Sequence, residues 1–261
     1  MTTVQTMLGT CRASFALVAA FLLAIPLLVG CAADKDARIP PQILVAPYDS
    51  SQGEALWAVV PLANESGVSF ANTDLVSDAL ASKINEARGV ACLPLNRTIA
   101  AMRSRGITAV RSPADARLLA NILGVDALVL GSITAYDPYN PPKLGLVLAV
   151  FAKENRPSDG VDPMKLQVAY TDQDPKVRTQ YLDRPVATLS EHFDGANHEV
   201  QMAIQRYSAG RHEPASALGW RGMLASMDLY VEFAAHEAVS RLLEQERLRL
   251  AQPGEASQAS R

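Results

Sequence analysis

The chain has 261 residues, 49% of them hydrophobic, and its 24 basic and 27 acidic side chains give a net charge of −3 with histidines neutral. A slightly acidic chain without a basic patch argues against nucleic acid as a partner. About 230 residues follow the N-terminal segment described next, which is enough for one domain with a sizeable core.

Residues 1–30 have the pattern of a secretory signal. One charged residue, Arg12, precedes an apolar run over residues 15–28, and small residues stand directly before Cys31. A retained transmembrane anchor is the alternative, but Pro26 interrupts a run already shorter than the roughly 20 residues that span a bilayer. The pattern resembles bacterial lipoprotein signals, and this resemblance implies diacylation of Cys31 and cleavage before it.

The residue after Cys31 indicates the membrane in which the protein is anchored. Many lipoproteins retained at the inner membrane carry Asp there, whereas this chain has Ala32. Similarity to that sorting pattern favours the outer membrane, with the rest of the chain facing the periplasm. Two acyl chains anchor a protein stably without a spanning helix. Residues 31–41, polar and ending in two prolines, are then predicted to be a tether.

From residue 42 onwards, short apolar runs alternate with helical patterns. Strands are predicted at residues 43–47, 56–61, 90–95, 125–136, 144–151 and 186–193, the first two buried on both faces. Helices are predicted over residues 72–88, 96–106 and 112–124, with Asn72 and Ser112 as N-caps. This alternation predicts an α/β domain over residues 42–194, with a mixed sheet and flanking helices.

The chain after residue 194 is predicted to be a helical extension. Helices are expected at residues 197–209, at about 217–226 and at 228–250. Residues 153–184 are polar, with one alternating stretch at 165–170, and residues 251–261 are predicted to be a disordered tail. Cys92, in an apolar run, is predicted to be a buried small hydrophobe rather than a catalytic thiol.

Residues 56–67, with the sequence LWAVVPLANESG, resemble the opening of bacterial envelope lipoproteins of the curli-secretion (CsgG-like) superfamily. The resemblance continues at residues 79–80, 96–97, 123–134 and 193–195. It implies an anticodon-binding-domain-like fold, shared with the amino-terminal domain of TolB, the lipoprotein of Pel polysaccharide export and activator lipoproteins of peptidoglycan synthases. It also implies a non-catalytic assembly, export or docking role with protein partners in the envelope, and leaves a homo-oligomer open.

Two segments are candidate contact sites. Tyr136, Asp137 and Tyr139 belong to a turn that three prolines stiffen, and rigid aromatic side chains are typical anchors for partners. Trp220, between two predicted helices, suits an interface or a core wedge. The loop residues Asn64, Glu65 and Ser66 could bind a ligand, and the alternative is a turn before a helix cap.

No catalytic, metal or cofactor site is predicted. Gly-x-Ser-x-Gly and phosphate-binding glycine loops are absent from the sequence, and His236 lacks the second histidine of a zinc-protease helix. The alternative functions are a hydrolase using His192, Asp194 and His198, or a small-ligand-binding module beside residues 64–67. The preferred prediction is a non-catalytic envelope lipoprotein.

Overall fold

The computed structural model describes residues 40–48, 53–152, 184–211 and 216–251. The signal segment, Cys31, residues 32–39 of the tether, the stretch 165–170 and residues 252–261 of the tail lie outside these residues. The strands are β1 (Ala55–Val59), β2 (Ala63–Asn64), β3 (Val90–Leu93), β4 (Ala127–Asp137), β5 (Lys143–Ala152) and β6 (Ala187–Asp194). The α-helices are α1 (Thr73–Glu86), α2 (Leu95–Ser104), α3 (Pro113–Leu123), α4 (His198–Ser208), α5 (Gly222–Ala225) and α6 (Met227–Ala251).

The strands form one mixed sheet in the order β3-β1-β4-β5-β6, with β2 paired to β4. Strands β1, β3 and β4 are parallel, and β5 and β6 are antiparallel to their neighbours. The mixed α/β class, with flanking helices and a C-terminal helix, is therefore as predicted. None of the described helices is long and apolar enough to cross a membrane.

Local sequence explains the helix boundaries. Asn72 accepts a hydrogen bond from the Leu75 backbone at the start of α1, and Ser112 forms a capping box with Asp115 before Pro113 opens α3. Gly124, at φ 66°, ends α3 in the left-handed conformation that glycine adopts readily. Both predicted N-caps are confirmed.

Helices cover the sheet on both faces. On one face, α1, α4 and α6 pack on the larger apolar cluster, which contains Trp57, Leu146 and Phe233. On the other face, α2 and α3 pack on a smaller cluster that contains Leu119 and Leu128. Strand β1 is buried on both faces, as its unbroken apolar sequence predicts.

Gly131 lies where two strands approach closely. A Cβ at this position would come within 2.2 Å of the Val147 backbone oxygen and 2.7 Å of Leu148 Cδ2. Glycine within a strand often marks such an approach of neighbouring backbone. Gly131 therefore has a packing role within the sheet.

The prediction of a buried strand at residues 43–47 was wrong. Val45 makes a single bridge to Arg88, and the side chains of Ile43 and Val45 are 49% and 53% exposed. The apolar sequence suggests a core strand, but the segment has one backbone neighbour, on one side only, and this neighbour does not bury its side chains. The predicted helix near residues 217–226 is instead a 3₁₀ turn at Gly219–Arg221 followed by the short helix α5.

Candidate functional site

The turn between β4 and β5 presents an exposed aromatic ring. Asp137 and Lys143 face each other in the last register pair of the hairpin, so the turn between them is short. Asp137 Oδ1 accepts a hydrogen bond from the Tyr139 backbone nitrogen at 3.1 Å. The three prolines fix φ at their own positions. The side chain of Tyr139 is 75% exposed on this constrained backbone.

Phe70 extends the aromatic surface and was not among the predicted contact residues. Its ring meets that of Tyr136 edge to face, with centroids 6.1 Å apart, and Phe70 is 62% exposed. Tyr136 itself packs partly against the larger core cluster. The two residues are far apart in the sequence, and the pairing of β2 with β4 draws their segments together. We call Phe70, Tyr136 and Tyr139 the aromatic surface.

The predicted loop site lies beside the strand that leads to the aromatic surface. Asn64 pairs in register with Ile133, and the Glu65 backbone nitrogen donates to the Ile133 oxygen at 2.8 Å. Asn64 and Ser66 use their side chains within the turn: the Ser66 hydroxyl donates to Asn64 Oδ1 at 2.7 Å, and Asn64 Nδ2 donates to the Val68 oxygen at 2.8 Å. The Glu65 side chain is left exposed.

The start of α6 adds a negative charge beside Tyr136. Burial, followed by the carboxylate of Asp228, raises the pKa of Tyr136. The phenol is therefore neutral at pH 7 and available as a hydrogen-bond donor or acceptor. Within the described residues, no ion pair joins the side chain of Glu65, Asp137 or Asp228 to a cation. Asp137 and Asp228 thus give the aromatic surface an acidic border.

Lys143 is the cation beside this border, and it is already paired. Its Nζ lies 3.0 Å from Asp194 Oδ2. A hydrogen bond from the Ala196 backbone and the nearby Lys143 ammonium hold the pKa of Asp194 below its usual value. Asp194 thereby fixes the end of β6 against the start of β5.

Trp220 lies in the 3₁₀ turn and packs partly on the larger core cluster. The guanidinium of Arg221 lies 4.8 Å from the centre of its ring. The helix that follows reaches the β4–β5 turn through Gly195, where a Cβ would lie 3.0 Å from Leu224 Cδ2 and 2.9 Å from the Pro142 oxygen. Trp220 is therefore a half-buried wedge at the same end of the sheet, while Tyr139 and Phe70 are open to solvent.

The residues of the alternative hydrolase site do not form an enclosed cluster. His192 and His198 are exposed, and Asp194 accepts hydrogen bonds that hold local structure. Among the described residues, no group of three or more His, Cys, Asp or Glu side chains could hold a metal ion. Cys92 is buried, as predicted, and burial raises the pKa of its thiol to about 12.

A second polar cluster lies in the interior, among α1, α4 and α6. Lys83 Nζ lies 2.8 Å from Glu86 and 3.5 Å from Glu232. The ring of Tyr207 stacks on that of His236, with centroids 4.9 Å apart, and the Arg211 guanidinium lies 4.4 Å from the same Tyr207 ring. Burial and the nearby cations lower the pKa of His236 to about 4, so the imidazole is neutral at pH 7. The cluster joins three helices through satisfied charges.

No family model and no curated protein matches the chain. It is similar to solved structures of lipoprotein GNA1162 from Neisseria meningitidis, with 16% identity and a TM-score of 0.35 over 53% of this chain and 81% of that one. The PelC dodecamer from Paraburkholderia phytofirmans is similar at 13% identity and a TM-score of 0.34, over 78% and 94%. The hypothetical protein CT253 from Chlamydia trachomatis is similar at 12% identity and a TM-score of 0.37, over 76% and 100%. The CsgG-like resemblance of the sequence stays a prediction.

Proposed function

We propose that this chain is a lipid-anchored, non-catalytic docking component of an export or cell-wall machine in the bacterial envelope. The protein attaches to the inner leaflet of the outer membrane through Cys31 and offers its aromatic surface to a protein partner in the periplasm. The observation that carries the proposal is the exposure of Phe70, which packs on the partly buried Tyr136, and of Tyr139 in the turn that follows.

The energetics of binding favour such a surface. Aromatic side chains contribute a large contact area and lose little conformational entropy when a partner covers them. The pairing of Phe70 with Tyr136 and the hydrogen bond that the Tyr139 backbone donates to Asp137 fix two parts of the surface before binding. A preformed surface loses less free energy to ordering on association than a flexible one.

The acidic border suggests how a partner would be selected. Asp137, which bonds the Tyr139 backbone, and Asp228, whose charge acts on Tyr136, have no cationic partner among the described residues. Charge complementarity increases association rates and disfavours partners with the same charge. A docking role requires no reacting group at this surface, and the proposal assigns none.

Photo-crosslinking in the native bacterium tests the proposal. A benzophenone amino acid replaces Tyr139, and the matched control replaces Leu118, which is half-exposed on α3. Because position 139 lies in the aromatic surface, we expect one discrete protein adduct from it and none from position 118. Phe70→Ala should weaken that adduct. Equal adducts from both positions, or none from position 139, would contradict the docking role.

The oligomeric state is a separate measurement. The mass of the lipid-modified protein in mild detergent, by native mass spectrometry, distinguishes a discrete ring from a monomer. A ring favours an export assembly, and a monomer favours a docking or activator lipoprotein that works through its partner.

A further inference from the structure

Residues 42–48, which we call the strap, are held on the outside of the domain by other segments. Arg88 pairs with the strap through its backbone: the Ala46 nitrogen donates to the Arg88 oxygen at 2.8 Å, and the Arg88 nitrogen donates to the Leu44 oxygen at 2.9 Å. Tyr48 reaches α6 through a hydrogen bond to Glu246 at 3.2 Å. The strap therefore has a fixed course across the ends of α1 and α6.

Two arginine side chains also bind the strap. Arg211 donates from Nη2 to the Gln42 oxygen at 2.9 Å, and Arg247 donates from Nη2 to the Val45 oxygen at 3.0 Å. An exposed strand edge ordinarily invites another strand, because its carbonyl and amide groups are unpaired. Here the Arg247 side chain occupies the Val45 carbonyl, which points away from Arg88, so strand pairing with a second copy is disfavoured. The strap therefore presents its side chains, and not its backbone, to the outside.

Those side chains are apolar. Leu44 and Ala46 point inward, whereas Ile43 and Val45 point outward and are about half-exposed. Leu250 follows Arg247 by three residues on α6 and is 43% exposed, so the two lie on neighbouring positions of the helix surface. Exposed aliphatic side chains beside arginines form a surface with both apolar and cationic character.

Of the arginines at this surface, Arg247 and Arg249 have carboxylate partners, whereas Arg88 and Arg211 have none among the described residues. Glu246 is buried and bonded to Arg249, and Glu244 pairs with Arg247. Arg88 is exposed and has no carboxylate partner among the described residues, and Arg211 contacts two carbonyl oxygens and the face of Tyr207. Arginine binds phosphate well because its planar group presents several donors.

We propose that the strap, with Arg88, Arg247 and Leu250, lies on the phospholipid headgroup layer of the membrane. The inference rests on the proposed lipid anchor. Gln42 follows Cys31 by eleven residues, so the strap stays within about 40 Å of the acylated residue even when the chain between them is fully extended. Ile43 and Val45 enter the interface, and the guanidinium groups contact lipid phosphates.

The experiment uses the complete lipid-modified protein in vesicles of phosphatidylethanolamine and phosphatidylglycerol that contain a lipid with a nitroxide near its headgroup. An environment-sensitive fluorophore is attached through Val45→Cys, and Leu118→Cys is the matched control. Cys92 does not compete for the label because it is buried with a raised thiol pKa. We expect several-fold stronger quenching at position 45 than at position 118.

A charge variant supplies the second readout. Arg88→Glu should reduce quenching at position 45, whereas Arg105→Glu, an exposed arginine that follows α2, should not. Protein that fails to float with vesicles would overturn the lipid anchor and with it the proposed function. Protein that floats with equal quenching at positions 45 and 118 would overturn the strap proposal alone. Energy transfer between copies labelled at position 45, without quenching by nitroxide lipid, would place a second copy there and also overturn it.

Discussion

The Tyr48 hydroxyl donates a hydrogen bond to Glu246 across 198 positions of the sequence. Glu246 is 2% exposed and accepts two further bonds from Arg249, each at 2.7 Å. The ring of Tyr48 also packs edge to face on Trp57, with centroids 6.3 Å apart. One buried carboxylate thus joins the first described segment to the last helix, and the Tyr48 ring extends this contact to strand β1.

Removal of the arginine that pairs with Glu246 should destabilise the fold. Arg249→Ala leaves a buried carboxylate without its cation, and because Arg249 is itself partly exposed we expect a loss of about 2 kcal/mol in the free energy of unfolding. The matched control is Glu244→Ala, which breaks the exposed pair with Arg247 on the same helix and should cost less than about 0.5 kcal/mol. Urea unfolding measures both, and equal losses would contradict the role given to Glu246.

Gly131→Ala should destabilise the sheet. The new methyl group would clash with the Val147 backbone oxygen, so two strands have to separate, and we expect a loss of about 3 kcal/mol. Gly222→Ala is the control, since its nearest neighbour, Leu218 Cβ, would be 3.9 Å away and α5 begins there. Thermal unfolding of the two variants provides the comparison, and an unchanged midpoint for Gly131→Ala would refute the close approach.

Stability should decline as the pH falls from about 6.5 to about 4. In the unfolded chain the His236 imidazole takes up a proton near its ordinary pKa of 6.5, whereas in the folded protein it does so only near pH 4. The unfolded state therefore binds more protons across that window, which reduces the free energy of unfolding by about 3 kcal/mol at pH 4.

The groups that face His236 identify the cause. Burial is the largest cause of the lowered pKa of His236, and the charges of Arg211 and Lys83 lower it further. The charge of Glu86 raises this pKa. His236→Gln should flatten the decline between pH 6.5 and 4, and His198→Gln, at an exposed histidine, should leave it unchanged. Denaturant unfolding at a series of pH values tests this, and an unaltered slope in His236→Gln would exclude the assignment.

Cys31→Ser should prevent maturation. If Cys31 is the acylated residue, the wild-type protein partitions into detergent and begins at residue 31, whereas the variant keeps residues 1–30 and the larger mass that they confer. Intact-protein mass spectrometry distinguishes these species. Cys92→Ser, at a buried thiol, should leave processing unchanged. A wild-type mass without acyl chains would remove the basis for the envelope assignment.

The order of strands and helices could be predicted because the spacing of apolar residues, the helix caps and the glycines that end helices are all properties of the local sequence. The burial of residues 43–47 was predicted wrongly because composition does not show how many neighbouring strands and helices cover a segment. The candidate site likewise has a part that could be predicted from the sequence and a part that could not. Tyr136 and Tyr139 were visible in a proline-rich turn, whereas Phe70 belongs to the site only through the pairing of β2 with β4. A contact between residues so far apart in the sequence has no signature in the local sequence.

The first turn of helix α6 carries Asp228, beside Tyr136, and near its other end the helix carries Arg247, which binds the strap. Nineteen helical steps lie between these residues, a distance of about 28 Å at 1.5 Å per residue. If the strap lies on the headgroups, as proposed, the length of this helix limits how far the aromatic surface can stand above them. That limit comes from the helix and not from the length of the tether.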